Sequence, residues 1–135
     1  LILDRLNRDV VAIGGPVTGA IPIVGSTTLL SSQNQQNIHG FMVRKEAKGR
    51  GGRKTGNPPG IEGASLTRGD RVILLEDVTT TGGSALKASE RLTEMGCQVV
   101  ACITILDRQE GGIDAFNQAG ISLIPLLLRS DITGE

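Results

Sequence analysis

The chain has 135 residues, and its 14 lysines and arginines are balanced by 14 aspartates and glutamates, so the formal net charge is zero at pH 7. This length suits one hydrophobic core, and we predict a single domain over residues 1–135. A neutral chain without a long apolar stretch or a cleavable leader predicts a soluble protein and argues against nucleic acid or a membrane as a partner.

The opening residues, Leu1–Leu6, resemble part of a helix rather than a natural start, so we expect that the chain is truncated at its N-terminus. Beyond them, short runs of β-branched and aliphatic residues recur along the chain. Runs with few polar interruptions are typical of strands that are buried on both faces, as in parallel sheets. The five predicted strands are Val10–Ile13, Phe41–Val43, Val72–Leu75, Val99–Leu106 and Ile121–Leu128.

Three helices are predicted between these strands. Gly19–Leu30 carries Pro22 in its first turn, and Ser84–Met95 and Ile113–Ala119 are each followed by a glycine that suits a helix end. The alternation predicts an α/β fold with an open, mainly parallel five-stranded sheet flanked by helices. Its ligand site is expected beyond the carboxyl ends of the strands, in the loops Gly14–Gly19, Arg44–Gly60, Glu76–Ser84 and Asp107–Gly112.

Neither the cysteines nor the aromatic residues indicate a chemical site. Cys97 and Cys102 lie near or within an apolar run and lack metal-ligand spacing, which favours reduced core thiols in a cytoplasmic protein. Phe41 and Phe116 are the only aromatic residues and are predicted to be core. So few aromatic side chains argue against stacking of nucleic-acid bases. His39, the only histidine, is predicted to be an exposed loop residue rather than a base.

The segment after the third predicted strand carries the strongest chemical signal. It contains Glu76 and Asp77, a Thr/Gly run and Ser84, followed by an amphipathic helix. Glycine amides, hydroxyls and a helix N-terminus suit a monophosphate, whereas two carboxylates would repel one and suit a ribose diol instead. The pattern therefore predicts a sugar phosphate site, although a Thr/Ser helix cap is the simpler alternative for one or two of these residues. No Gly-Lys-Ser/Thr turn and no G-x-G-x-x-G follows a strand, which argues against kinase, GTPase and dinucleotide-binding sites.

A basic segment follows the second predicted strand. Residues 44–54 hold six basic side chains against one acid, Glu46, and so carry five net positive charges within a neutral chain. Such a segment could surround a pyrophosphate that leaves during a reaction, but by itself it also fits a solvated loop or a nucleic-acid patch. Its predicted position beside the sugar phosphate site favours the first interpretation. The six basic residues are Arg44, Lys45, Lys48, Arg50, Arg53 and Lys54.

Three motifs, FMVRKEAKGRG at Phe41–Gly51, EDVTTTGGS at Glu76–Ser84 and LDRQEGG at Leu106–Gly112, occur in this order. With them the chain resembles the type I phosphoribosyltransferase family, and within that family the orotate phosphoribosyltransferases. The resemblance runs from about Val10 to Leu128. It implies transfer of phosphoribosyl from phosphoribosyl pyrophosphate (PRPP) to orotate, giving orotidine 5′-monophosphate in pyrimidine biosynthesis, with Mg²⁺ carried by PRPP and no metal held directly by the protein.

The resemblance also implies roles for individual residues. Lys48, Arg50 and Asp77 are expected to be catalytic, and Thr80 and Arg108 are expected to contact orotate. A homodimer with shared active sites is implied, in which Lys48 reaches the site of the partner. The residues expected to bind PRPP are Arg44, Lys45, Lys48, Arg50, Glu76, Asp77, Val78, Thr79, Thr80, Thr81, Gly82, Gly83 and Ser84.

The chain departs from the family pattern in two respects. Where the family usually has Lys-x-His, this chain has Lys48-Gly49-Arg50, which keeps a cation but removes an imidazole. Family members also carry an N-terminal segment that covers the base, for which the chain shows no counterpart. Two alternatives to the orotate enzyme follow: a PRPP-binding regulatory module that performs no transfer, and a phosphoribosyltransferase for another base. For Arg108, the alternative is an ion pair with Asp107 or Glu110.

Overall fold

The structure, a computed structural model, describes residues 1–6, 9–45 and 56–134. Its strands are β1 (Ala12–Pro16), β2 (His39–Val43), β3 (Ile61–Gly63), β4 (Arg71–Thr79), β5 (Gln98–Asp107) and β6 (Ser122–Leu128). They form one six-stranded sheet with the order β3-β2-β1-β4-β5-β6, in which every neighbouring pair is parallel except β2 and β3. The helices are α1 (Ile21–Gln33), α2 (Gly83–Glu94), α3 (Gly112–Gln118) and α4 (Arg129–Thr133), preceded by a 3-10 helix at Leu3–Arg5.

The predicted α/β class is confirmed, but the predicted count of five strands is wrong. The additional strand, β3, has only three residues and pairs antiparallel with β2 at the sheet edge. It is too short to show an apolar run, and its glutamate and glycine are both exposed. Its pairing depends on β2, which lies far from it in sequence, and a local pattern does not register such pairing.

Two strands also extend beyond their apolar runs. β1 continues through Gly14 and Gly15 to Pro16, and β4 continues through Glu76 and Asp77 to Thr79. The predicted loops Gly14–Gly19 and Glu76–Ser84 therefore begin too early. In β4 the reason is its partner: β5 pairs with it in register as far as Thr79 opposite Asp107, so backbone hydrogen bonding carries the strand past its apolar residues.

The sheet buries apolar residues on both faces, as the uninterrupted runs predicted. Along β4, Val72 and Leu74 pack with Leu92 of α2 and with Phe116 of α3. The alternate residues of β4 pack on the opposite face with Val24 of α1. Helix α1 thus covers one face of the sheet, and α2 and α3 cover the other.

The three predicted helices are confirmed with small shifts of their ends. Pro22 lies in the first turn of α1, and Gly96, at φ +95°, follows the end of α2. The opening residues form only the three-residue 3-10 helix, and His39 is exposed as predicted but begins a strand. Phe41, Phe116 and both cysteines are buried, as predicted. Within the part of the chain that the structure describes, none of the helices has the length and apolar character needed to cross a membrane.

The connections of β1 and β4 place the site. From β1 the chain passes through α1 to β2 on one side, whereas from β4 it passes through α2 to β5 on the other side. β1 and β4 are neighbours, so the strand order reverses between them. A crevice forms at the carboxyl ends of strands where the order of an open α/β sheet reverses, and ligands bind there.

Candidate functional site

A cavity of about 220 Å³ lies at this crevice. The end of β1 forms one wall, the end of β4 forms another, and the start of α2 closes the third side. The lining residues are Pro16, Val17, Gly19, Lys45, Glu76, Asp77, Val78, Thr79, Thr80, Gly82, Gly83 and Ser84. All nine residues of the predicted sugar phosphate motif except Thr81 therefore line this cavity.

The start of α2 supplies the anion-binding side of the cavity. Gly82 precedes the helix with φ +90°, a left-handed conformation that favours glycine, and this N-cap residue makes no side-chain hydrogen bond to the helix. The first amides of a helix have no partner within it, and they carry the positive end of the helix dipole. Since Gly83 and Ser84 line the cavity, this end of the twelve-residue helix suits a phosphate.

Glu76 and Asp77 differ in their surroundings although they are adjacent. Glu76 is only 8% exposed, and its pKa is raised to about 8, first by burial and then by a hydrogen bond to Asp77 and the charge of that carboxylate. Glu76 is therefore mainly protonated at pH 7. Burial, together with the charge of Glu76, also raises the pKa of the Cys102 thiol.

Asp77 is exposed and is the carboxylate that a ligand can reach. Its Oδ1 accepts a hydrogen bond from the amide of Val78 at 2.7 Å, which fixes the side chain. Gly19, after β1, lies directly against this carboxylate, and a methyl group added at Gly19 would overlap with it. The acid thus faces the turn between β1 and α1.

The hydroxyl groups of the motif are not equally available. Thr80, Thr81 and Ser84 are exposed, whereas Thr79 is 2% exposed and its Oγ1 has no hydrogen-bond partner among the described residues. Thr79 lines the cavity, but its buried side chain leaves mainly its backbone for a ligand. Within the described residues, no group of three or more His, Cys, Asp or Glu side chains could hold a metal ion.

A second, larger cavity of about 510 Å³ adjoins the first and shares five of its residues, including Lys45 and Ser84. Among the described residues that line it, all four charged side chains are basic. Arg44 bonds Glu62 through Nε at 2.7 Å, which raises the pKa of the guanidinium, while Lys45 is exposed. Lys87 and Arg91, from the face of α2 that begins at Ser84, complete the basic lining.

Arg108 is separated from both cavities. It follows β5 and lines a third cavity of about 300 Å³ together with Gln109, Arg129, Ser130 and Thr133. Its side chain lies 3.5 Å from Glu110, the ion pair that was one alternative for this residue. Its amide, however, donates a hydrogen bond to the carbonyl of Thr79 at 2.9 Å, so the backbone of Arg108 adjoins the sugar phosphate motif.

Comparison with known proteins agrees with this geometry. The sequence profile described as the phosphoribosyl transferase domain matches residues 2–116. The orotate phosphoribosyltransferase of Methanothermobacter thermautotrophicus is 46% identical over 131 residues, which are 97% of this chain and 66% of that protein. This chain belongs to the phosphoribosyl transferase family, in its orotate phosphoribosyltransferase branch.

Solved structures of the family support the same assignment. The orotate phosphoribosyltransferase of Mycobacterium tuberculosis H37Rv, in complex with Fe(III) dicitrate, superposes with a TM-score of 0.80 at 30% identity, over 98% of this chain and 69% of that one. The same enzyme in complex with PRPP gives a TM-score of 0.75 at 31% identity, over 92% of this chain and 66% of that one. The chain spans about two thirds of the length of these family members.

Some of the predicted site residues lie outside the residues that the structure describes, and two residues of the basic cavity were not predicted from the sequence. Lys48 and Arg50, predicted to be catalytic, lie outside the described residues, as do Arg53 and Lys54. Lys87 and Arg91 were not predicted to belong to the site. Their spacing from Ser84 places all three on one face of α2, a signal that would have found them once the helix start was assigned to the site.

Proposed function

We propose that this chain is the catalytic core of an orotate phosphoribosyltransferase, a single domain over residues 1–135 that transfers phosphoribosyl from PRPP to orotate. One observation carries the proposal. An exposed carboxylate, Asp77, and the uncapped start of α2 at Gly83 and Ser84 line the same cavity. This juxtaposition suits the ribose and the 5-phosphate of one ligand, in a chain whose relatives include an orotate phosphoribosyltransferase solved with PRPP.

The 5-phosphate of PRPP lies at the start of α2 in this proposal. The amides of Gly82, Gly83 and Ser84 and the exposed hydroxyls of Thr80 and Thr81 donate to its oxygens, and the helix dipole favours its charge. Val78 is 42% exposed beside the acids and contacts the ribose. Thr79 contributes through its backbone.

The ribose hydroxyls lie against the acidic end of β4. Asp77 accepts a hydrogen bond from a ribose hydroxyl, which is a charge-assisted bond and stronger than a neutral one. Glu76, being mainly protonated at pH 7, instead donates its proton to Asp77 and so keeps the Asp77 carboxylate oriented. Repulsion between two adjacent carboxylates is thereby avoided.

The pyrophosphate lies toward the basic cavity. Lys45 lines both cavities and is placed to neutralise an oxygen of the leaving group. Arg44 contributes positive charge at the cavity wall, although Glu62 holds its guanidinium. Lys48 and Arg50 would add two further cations, and Lys48 would act in the partner of a homodimer.

Orotate binds between the motif at the end of β4 and the loop after β5. Thr80 offers its backbone to the base, and Arg108 pairs with the orotate carboxylate through the two parallel donors of its guanidinium. The ion pair between Arg108 and Glu110 joins two half-exposed groups, so a substrate carboxylate competes with it readily.

The reaction is a displacement at C1 of PRPP. The bond from C1 to the pyrophosphate oxygen breaks, a ring nitrogen of orotate forms the new bond to C1, and the proton of that nitrogen is released. Positive charge develops on the ribose and negative charge on the departing pyrophosphate. Asp77 stabilises the positive charge on the ribose, and Lys45 stabilises the negative charge on the pyrophosphate. The protein thus acts chiefly through preorganised charges.

Mg²⁺ accompanies PRPP in this proposal. Mg²⁺ prefers oxygen ligands and usually keeps few protein ligands besides substrate phosphates, and the exposed carboxylate of Asp77 is a donor of the right type. When bound, the ion neutralises part of the pyrophosphate charge. The two buried free thiols, Cys97 and Cys102, fit a cytoplasmic enzyme.

The decisive experiment follows the absorbance of orotate in the presence of PRPP, Mg²⁺ and this chain. Orotate consumption and release of pyrophosphate in equal amounts would support the proposal. PRPP binding without turnover of any base would indicate a regulatory module instead. Turnover of a purine but not of orotate would show that the base, and the role of Arg108, are wrongly assigned.

A further inference from the structure

We propose that Arg91 is a positioning residue for the pyrophosphate side of the site: it binds the two backbone segments that flank residues 46–55 and thereby holds Lys45 at the cavity. This inference rests on the proposed function, because Lys45 is placed there against the leaving pyrophosphate. Arg91 itself contacts no reacting atom.

The guanidinium of Arg91 bridges two distant parts of the chain. Its Nη1 donates to the carbonyl oxygen of Arg44, 47 residues earlier, and its Nη2 donates to the carbonyl oxygen of Pro59 at 2.6 Å. Arg91 lies on α2, which packs into the buried core through Leu92. The two flanking segments are therefore attached to a rigid helix.

Further bonds join the same two segments to each other. The amide of Arg44 donates to the carbonyl of Gly60 at 2.8 Å, and Arg44 pairs with Glu62 at 2.7 Å. Gly60 has φ +89°, and a methyl group there would overlap with the guanidinium of Arg91. The absence of a side chain at position 60 thus makes the approach of Arg91 possible.

The bond to Arg44 acts directly on Lys45. The carbonyl of Arg44 belongs to the peptide unit that ends at Cα of Lys45, and that unit is planar. Holding the carbonyl oxygen therefore fixes the plane from which the Lys45 side chain departs. Because Lys45 is exposed and its long side chain is otherwise flexible, a fixed origin reduces the entropy lost when it binds an anion.

Arginine suits this task better than lysine. Its planar guanidinium directs several donors in a fixed fork, so two carbonyls in different segments are bound at once, whereas an ammonium group is a single point on a flexible stem. Carbonyl groups carry no net charge, so these hydrogen bonds do not neutralise the positive charge of Arg91. Arg91 also lines the cavity of about 510 Å³ together with Lys45 and Lys87, so its charge adds to the attraction for a diphosphate.

The test compares R91M and R91K with K87M, which removes an equal charge one helical turn away but leaves both carbonyl bonds in place. Three readouts are needed: steady-state kinetics for PRPP and for orotate, binding of inorganic pyrophosphate by calorimetry, and amide hydrogen exchange. Exchange is compared between peptides covering residues 41–45 and 58–63 and a reference peptide covering residues 98–107.

For R91M we expect the KM for PRPP to rise about tenfold, which is what the loss of one charge-assisted hydrogen bond between Lys45 and the pyrophosphate would cost. The affinity for inorganic pyrophosphate should fall by the same factor. The KM for orotate should stay within about twofold of wild type, whereas kcat should fall, because Lys45 stabilises the charge that develops on the departing pyrophosphate. Exchange should quicken in residues 41–45 and 58–63 only. R91K should fall between wild type and R91M, and K87M should show wild-type exchange.

Three outcomes would overturn the inference. One is unchanged exchange in R91M, and another is an equal effect of R91M and K87M on pyrophosphate binding, which would reduce the role of Arg91 to its charge. The third is faster exchange at residues 98–107 in both R91M and R91K, which would indicate general loss of structure. If wild type fails to turn over orotate, the proposed function fails, while exchange and pyrophosphate binding still decide the role of Arg91.

Discussion

Thr79 and Asp107 lie opposite each other in the register of β4 and β5, and each buries a polar side-chain atom that has no hydrogen-bond partner among the described residues. The two residues are 2% and 1% exposed. Their other polar atoms hold the loop after β5: the carbonyl of Thr79 accepts from the amide of Arg108, and Oδ1 of Asp107 accepts from the amide of Gln109. This pair thus joins the sugar phosphate motif to the loop that carries Arg108.

The burial of Thr79 distinguishes it from its neighbour Thr80. We expect T79V to leave the free energy of unfolding unchanged or to raise it by up to about 1 kcal/mol, since it removes a buried hydroxyl without a partner and keeps the shape. PRPP affinity should stay within about twofold, because only the backbone of Thr79 is used. Urea unfolding and calorimetric titration with PRPP measure both quantities.

T80V is the matched variant, because it makes the same chemical change at an exposed hydroxyl. It should leave stability unchanged and weaken PRPP binding by about five- to tenfold, the worth of one hydrogen bond. Equal losses of affinity in T79V and T80V would contradict the assignment of the Thr79 side chain to the protein interior.

How much of the fold could be predicted from the sequence depends on whether a feature is encoded within one segment or depends on pairing between distant segments. The run Val72–Leu75 identified β4 because both faces of the strand are covered, and the amphipathic spacing before Gly96 identified α2. The end of β4 was not predictable in the same way. Glu76 and Asp77 are polar, and only pairing with β5, more than twenty residues later, keeps them in the strand.

The site was predictable where it is local in sequence and not where it is assembled from distant segments. The motif from Glu76 to Ser84 lines the cavity almost entirely because one strand end and one helix start make most of its wall. The contacts of Arg91 join residues 32 and 47 positions apart, which no periodicity reports. For Arg108, the motif could not indicate that the side chain lies beside Arg129 rather than in the cavity.

Asp77 is expected to matter for binding and little for folding. In D77N the amide oxygen can still accept the bond from Val78, so the free energy of unfolding should fall by less than about 1 kcal/mol. PRPP affinity should fall about tenfold or more, because a charge-assisted bond to a ribose hydroxyl is weakened. The control is D114N, which neutralises an exposed acid on α3. An unchanged affinity in D77N would remove the proposed ribose contact.

Arg108 is expected to govern the KM for orotate. R108K keeps the charge but loses the two-pronged geometry, so this KM should rise about tenfold while the KM for PRPP stays constant. R108M should raise it further, and R129M, which changes an arginine lining the same cavity, should have little effect. If R129M raises the KM for orotate as much as R108M does, the carboxylate is attracted by general positive charge and not bound by Arg108.

Glu76 should make stability depend on pH. Its pKa is raised from an ordinary 4.5 to about 8 in the folded protein, so between these values the folded state holds a proton that the unfolded state has released. Stability from this group is therefore complete below pH 4.5 and is lost as the pH rises toward 8, by about 1.4 kcal/mol for each pH unit in the middle of the window. E76Q replaces the protonated acid with a neutral side chain of similar shape that does not titrate. The unfolding free energy of E76Q minus that of wild type should accordingly increase from pH 5 to pH 8 and level off above pH 8, as measured by urea denaturation at each pH. Parallel curves for the two proteins across this range would mean that Glu76 is ionised in the folded state, and the division of roles between Glu76 and Asp77 would then be wrong.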